Sequence, residues 1–448
     1  MQPVEQQLIK ISLEMAKELL DCLQSKSSKV EKKYEYYNGD NDVRDFGIST
    51  PIQLTHLRPG IGWASRAVNT LSDRVIFDGF AHDMFGINDY FTDIGAWSVI
   101  NKSKHDAFIA GCSFIGIADN VIGAANPKIL VPFTAAEATG VVDQRTGLLK
   151  YGLAVTKWGI AKPKKVNARY EAVDYMVFTP NFTAIFVSRT ISEIIPNPTG
   201  RCLLHPITHR SSADRPLGKS RLTNTARRII QEVGRLKRRE EIAEEFYSLP
   251  QRYINGLAEG AKKDDNLDSA IGKVWAITKD EDGEKPEIGQ LPQMSINQFE
   301  TAKKDKARDF CAETALTLRN LGYETGNPSS PESLAAMSDD LLLEAQNSQT
   351  EMGEQIKQLA ITLRMAIDQV NVVPDGLKDL VPAWKPIFQV DIGAAGDALF
   401  KLFQTMPELQ GTMAGYRLLG IGVREAEELM TKRISSTANS FMNNGGTL

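Results

Sequence analysis

The sequence predicts an α+β protein in which long helices and short strands occupy separate stretches of the chain. Three observations carry this. Apolar residues recur at helical spacing over 5–37, 220–247, 295–321 and 338–369. Between 113 and 190, short β-branched and aromatic runs alternate with Gly, Asn, Pro and Asp clusters, which is the texture of hairpins. A smaller strand-like stretch, 249–294, separates two of the long helices.

A chain of 448 residues, 42% of them hydrophobic and 24% charged, can bury a sizeable core in several domains. The net charge of -4 argues against a surface devoted to nucleic acid, while leaving room for local contact with it. It also suits a surface along which DNA slides without sticking, because phosphate contacts made by many cations bind tightly. Cys22, Cys112, Cys202 and Cys311 are isolated, with no CxxC pair, so neither a disulfide framework nor a zinc site is expected. The first twenty residues read as an amphipathic helix and not as a secretory signal. The most apolar stretch, Ala107–Pro132, is interrupted by Asp119, Asn120, Asn126 and Lys128, so no membrane span is expected.

In chain order, the helix over 5–37 places Leu8, Ile11, Leu19 and Leu23 at helical spacing and ends at the turn Asn38-Gly39-Asp40. A helix is expected at Trp63–Val75, then a strand at Val75–Phe77 with Asp78-Gly79 as its turn, then a helix over 86–110. After the hairpins, the four prolines within 193–217 suggest an irregular linker. The helix over Ser220–Tyr247 has an apolar stripe through Leu222, Ile229, Val233 and Leu236. It also has a basic row, Arg228, Arg235 and Arg239, beside Arg227 and Arg238. Ser295 with Gln298 gives a capping-box start to the next helix, which is expected to run to Leu321. That helix carries an acidic line, Asp305, Asp309 and Glu313. A Gly/Pro loop leads to the helix over 338–369, which is expected to bend near Gly353, because a glycine inside a helix asks for a packing reason or a kink. A strand at Pro386–Val390 and helices near 395–406 and 424–434 precede a polar, small-residue tail over 435–448, expected to be disordered.

The motifs that invite chemistry have plainer readings. His205 and His209 have metal-ligand spacing for a helix, but Pro206 lies between them and the Glu of HExxH is missing. Asp280, Glu281, Asp282 and Glu284 lack the spacing of a calcium loop, and Asp282-Gly283 suits a hairpin tip. Gly218-Lys219-Ser220 lacks the earlier glycine and the strand of a phosphate loop, and reads as a helix start. The arginine row is interleaved with Glu232, Glu240, Glu241, Glu244 and Glu245, which suits a solvated, salt-bridged face.

Six local stretches resemble the portal proteins of tailed bacteriophages, in particular those of siphophages. They are Tyr36–Asp40, Trp63–Phe80, His105–Phe114, Leu217–Arg221, Glu245–Tyr253 and Asn327–Leu334, in that order. The resemblance implies a portal fold with an α/β wing, a two-helix stem, a small β-containing clip, a long wing helix and a C-terminal helical crown. It divides the chain into an N-terminal wing (1–217), a first stem helix (218–248), a clip (249–294) and a second stem helix (295–321). A tunnel-loop region (322–337), the long wing helix with a returning strand (338–392), and a helical crown with a flexible tail (393–448) follow.

The implied function is that of a non-enzymatic, dodecameric ring at one capsid vertex, conducting double-stranded DNA during packaging and ejection. Implied partners are further copies of the chain, the terminase large subunit, a head–tail adaptor, the major capsid and scaffolding proteins, and DNA bound without sequence preference. No cofactor and no membrane are implied. Tyr323, Glu324 and Thr325 are the expected channel-loop residues, and Tyr253 and Trp275 belong to the expected clip. Arg228, Arg235 and Arg239 on one subunit are expected to face Asp305, Asp309 and Glu313 on the next. A DNA-processing hydrolase and a helical scaffolding protein are the rival readings.

Overall fold

The computed structural model describes residues 3–44, 54, 56–120, 126–160, 170–248, 252–255, 287–290, 295–323, 339–387, 400–423 and 425–433. The first helix, α1, spans Pro3–Asn38 and α2 spans Trp63–Ser72. Strand β1 (Phe77–Ala81) leads to α3 (Ile87–Asp93) and α4 (Ala96–Ala110). Eight strands follow: β2 (Cys112–Asp119), β3 (Lys128–Thr134), β4 (Ala138–Val142), β5 (Leu149–Ile160), β6 (Tyr170–Phe178), β7 (Phe182–Val187), β8 (Thr190–Pro196) and β9 (Leu204–Thr208). Then come α5 (Asn224–Ser248), β10 (Arg252–Asn255), β11 (Glu287–Gln290), α6 (Asn297–Thr314), α7 (Asp339–Asp368), β12 (Val381–Trp384) and α8 (Met413–Leu418). Among the described residues every paired strand is antiparallel to its neighbour. The mixture of helix with antiparallel sheet agrees with the α+β expectation.

The chain divides into two compact units. One comprises Met1–Asn41, Gly62–Arg227 and Glu313–Leu448, and the other Asp42–Ile61 and Arg228–Ala312. In the first unit a five-stranded sheet, ordered β4-β5-β6-β7-β8, has cores on both faces. Strand alternation puts Leu153, Val155, Tyr175, Val177 and Phe186 on one face, where Ala16, Leu19 and Leu23 of α1 cover them. Ala154 and Phe178 share the opposite core with Phe114, Phe133 and Leu204, which come from the three-stranded sheet β3-β2-β9. The helical spacing that announced α1 is therefore its contact with a sheet.

Several boundaries differ from the sequence expectation, each for a physical reason. The expected linker over 193–217 holds the end of β8 and all of β9, whose five residues are buried. Pro206 is tolerated because backbone bonds between β9 and β2 fall on alternate residues, among them Ile117 N to Leu203 O and His209 N to Gly111 O. The proline's missing N–H is on the strand's other edge.

Asp78-Gly79 is a bulge inside β1 and not a turn, with the register shifting between Phe77 and Gly79 and Gly79 at φ +116°. The side chain of Asn88 closes the gap there, accepting from Phe80 N at 3.0 Å and donating to Phe80 O at 2.9 Å. The helix expected over 86–110 is two helices, parted at Gly95 in the left-handed region. The helix from Trp63 ends at Ser72, short of Val75.

A strand that was not expected, β12, pairs with β1, while of the strand expected at Pro386–Val390 the first two residues are not in a strand and 388–390 lie outside the described residues. Helix α5 starts at Asn224 and not Ser220, with the Thr223 hydroxyl accepting from Ala226 N at 3.1 Å. Helix α6 starts at Asn297, so Ser295 is not its cap, and it ends at Thr314, where Ala315 adopts φ +52°. A short 3-10 turn, Leu318–Leu321, supplies the rest of that expected helix.

Helix α7 matches its expectation within a residue at each end. Leu341, Ala345, Met352, Ile356, Leu359 and Leu363 are buried and Ile367 is half-buried. Gly353 has a packing reason: a Cβ there would stand 3.2 Å from Pro382 Cβ and 3.3 Å from Trp384 Nε1. Toward the C-terminus, helical residues lie at 400–405 and 425–433, and the tail over 435–448 is outside the described residues.

Candidate functional site

The second unit is a helix pair, α5 with α6, together with the segment 42–61 and the ladder β10–β11. Ion pairs tie the helices, Glu232 to Lys306 at 2.9 Å and Glu240 to Lys303 at 2.7 Å among the described residues. Within one chain, then, α5 supplies the acids and α6 the cations. The expected inter-subunit residues have the opposite polarity, a basic row on α5 and an acidic line on α6.

Arg228 is 82% exposed and reaches back to Glu232 at 3.4 Å. Asp305 pairs with Arg308 at 2.7 Å and Asp309 with Lys306 at 3.4 Å, both carboxylates well exposed. Arg235 donates to the Arg44 carbonyl at 3.4 Å, so part of its hydrogen bonding is used inside its own chain. Arg239 is half-buried. Glu313, in the first unit, accepts from the Thr223 hydroxyl at 2.5 Å.

The arginine that the sequence set aside is the one most deeply engaged. Arg238 is 2% exposed, and its guanidinium donates to Leu57 O at 3.0 Å and Val43 O at 3.4 Å. Gln231 brackets the same segment, accepting from Arg44 N at 2.9 Å and donating to Asp42 O at 2.6 Å. Gly234 lets the segment come close, since a Cβ there would lie 2.8 Å from Val43 Cγ2. Gly234 and Arg238, four apart and so on one helix face, were the legible signal.

Of the expected clip, β10 and β11 are described, with Tyr253 opposite Gly289. Trp275 lies outside the described residues. Tyr323 packs edge-on against Trp63, ring centroids 6.5 Å apart, while Glu324 and Thr325 lie outside the described residues.

The two histidines sit in an extended strand and the turn after it, not on a helix. Burial drives the pKa of His205 down to about 3, with Arg201 adding to the effect. Burial also holds His209 well below the usual imidazole range, helped by Arg210 and Arg221. Both are therefore neutral core residues. Among the described residues no group of three or more His, Cys, Asp or Glu is placed to hold a metal ion. No described helix is long and apolar enough to cross a membrane.

Gly218 is not part of a phosphate loop. At φ +73°, its Cβ position falls 2.5 Å from Gly111 O and 2.6 Å from His209 O, so glycine is required for close packing. A groove of about 820 Å³ lies between the β4–β5 turn, β9 and α7, lined by Gln144, Thr208, Ser212, Glu354 and Gln358 among others.

What these elements amount to is a set of packed antiparallel sheets and a charged helix pair. The chain resembles the portal proteins of phages along nearly its whole length. The portal protein of Mycobacterium phage D29 is 21% identical over 439 residues, which cover 92% of this chain and 86% of that protein. No known family's sequence model matches. Among solved structures, the neck of a native gene transfer agent particle computed with C12 symmetry superposes with a TM-score of 0.45 at 12% identity, covering 88% of this chain and 99% of that one. The neck of the empty particle, computed with C6 symmetry, gives 0.46 at 12% identity, covering 86% and 98%.

Proposed function

We propose that this chain is the subunit of a phage portal, a ring in the virion at one capsid vertex through which double-stranded DNA is packaged and ejected. The observation that carries the reading is the similarity to the portal protein of Mycobacterium phage D29 over 92% of the chain. The role is mechanical and not enzymatic. In this reading α5 and α6 are the stem, the ladder β10–β11 belongs to the clip, and 322–330, with Tyr323, Glu324 and Thr325, is the channel loop. The ring is dodecameric. It docks the terminase large subunit and later a head–tail adaptor, and meets the capsid and scaffolding proteins.

A closed ring needs head-to-tail contacts between unlike faces. The exposed Arg228 on α5 and the exposed Asp305 and Asp309 on α6 offer such faces. Each exposed pair contributes only about 0–1 kcal/mol, so their work is to fix register and direction. Acidic neighbours keep the arginines from gripping phosphate, which suits transit.

Native mass spectrometry of the purified full chain tests the proposal. The expected result is a single closed oligomer whose weak association with duplex DNA is lost on raising salt. A monomer across the concentration range overturns it.

A further inference from the structure

Helix α7 carries a polar stripe on the face that meets the β9–α5 connection. Glu351 accepts from the Thr208 hydroxyl at 2.7 Å, from Arg210 N at 2.9 Å and from Ser211 N at 3.0 Å. Gln355 accepts from Thr208 N at 2.8 Å. Two turns before Glu351, on the same stripe, Glu344 is 7% exposed and forms an ion pair with Arg221, itself 3% exposed. The other oxygen of Glu344 lies 3.1 Å from Arg210 Nη2 and 3.6 Å from His209 Nε2.

Arg221 does more than neutralise Glu344. Its Nη2 donates to Thr314 O, the last residue of α6, at 2.6 Å. Its backbone N donates to Phe108 O of α4 at 3.0 Å. Two residues on, Thr223 caps α5 and donates to Glu313 of α6. One planar guanidinium thus spans a carboxylate on α7 and a carbonyl at the end of α6, three residues before α5 begins. A lysine keeps the charge but cannot present the same fork to both acceptors. Arg210 holds its place in the cluster with φ +51°, a conformation a non-glycine residue keeps only where its surroundings impose it.

We infer that Arg221 and Glu344 form a buried latch that fixes α7 in register against the start of α5 and the end of α6. An axial shift of α7 must break this pair or carry the ends of both other helices with it. The latch is a positioning device within one subunit, and it does not depend on the ring.

Hydrogen exchange on the full chain tests it, comparing wild type with Arg221→Lys, Glu344→Gln and the double variant. Each single change is expected to speed exchange about ten-fold or more in both 313–321 and 339–348, and the double change to do no more than the larger single one. Strands β5 to β8 should be unchanged. Acceleration confined to the substituted residue's own neighbourhood, additive effects, or a rise across β5–β8 overturns the latch. If Glu344→Gln does not fold, Arg221→Lys alone decides, because exchange at 339–348 must then rise together with that at 313–321. The oligomeric mass of these variants is read separately, so the ring and the latch stand or fall independently.

Discussion

Glu232 on α5 and Lys306 on α6 form a 2.9 Å ion pair that each partner's titration reflects. Burial pushes the Glu232 carboxyl up, but Lys306 and Arg228 together outweigh it and hold it below its ordinary value. The hydrogen bond to Glu232 is the main reason the Lys306 ammonium is raised. The depressed acid contributes stability above its unfolded pKa and loses it as pH falls through the folded value. The raised base contributes below its unfolded pKa and loses it as pH rises through the folded value. The pair is therefore whole across neutral pH. Lys306→Met is expected to cost about 0.5–1 kcal/mol near pH 7, and less at acidic and strongly alkaline pH, in denaturant titrations of the full chain.

A charge-reversal cycle checks the ring contacts. Arg228→Glu with Arg239→Glu should reduce the fraction of assembled oligomer at physiological salt, measured by native mass spectrometry or sedimentation. Adding Asp305→Lys and Asp309→Lys should restore part of it. Normal rings with lost DNA retention would place the arginine row on the channel instead.

Asp106 gives a pH dependence of opposite sense. Burial raises its carboxyl to about 6, against the lowering effect of the Tyr34 hydroxyl, which donates to it at 3.3 Å. A carboxyl raised on folding binds more protons in the native state, so stability falls as pH climbs from about 4 to about 6, by on the order of 1–3 kcal/mol. Asp106→Asn cannot ionise and should flatten that part of the stability–pH curve, read by thermal melting. An unchanged slope would show that another group is responsible.

Gly353 and Gly218 make separable predictions. Gly353→Leu inserts a side chain against Pro382 and Trp384, and an overpacked core costs about 1–3 kcal/mol. The environment of Trp384 should change with it, visible in near-ultraviolet circular dichroism. Gly218→Ala adds a Cβ against two backbone carbonyls at positive φ, where strain of about 1–3 kcal/mol comes before any clash. Its melting temperature should fall well below that of Gly39→Ala, where φ is also positive but the space is open.

How legible each part was in the sequence follows from the range of the interactions. Helices α1 and α7 were plain because their buried faces repeat within each turn. Strand β9 was hidden because a local reading counts Pro206 as a breaker, and only pairing with the distant β2 shows that its N–H is not needed. The bulge at Asp78-Gly79 was hidden for a similar reason, since the group that stabilises it, the Asn88 amide, lies on the next helix. In the helix pair the charged residues were visible. Their partners were not, because Arg238 binds carbonyls some 180 residues away, at Leu57, and backbone acceptors leave no mark in a residue pattern.

That bond bears on how such a chain can be recombined. The stretch 228–312 begins and ends on helices and looks like an insert that could be exchanged between relatives in one piece. Yet Arg238 is buried with its guanidinium bonded to the carbonyls of Leu57 and Val43, which lie far upstream in the chain. A chimera carrying 228–312 alone would inherit a buried cation without those acceptors, at a cost of about 1–3 kcal/mol or more. A crossover that parts the helix pair from Val43 and Leu57 is therefore expected to lower the stability of the product, whatever the exchanged stretch itself contributes.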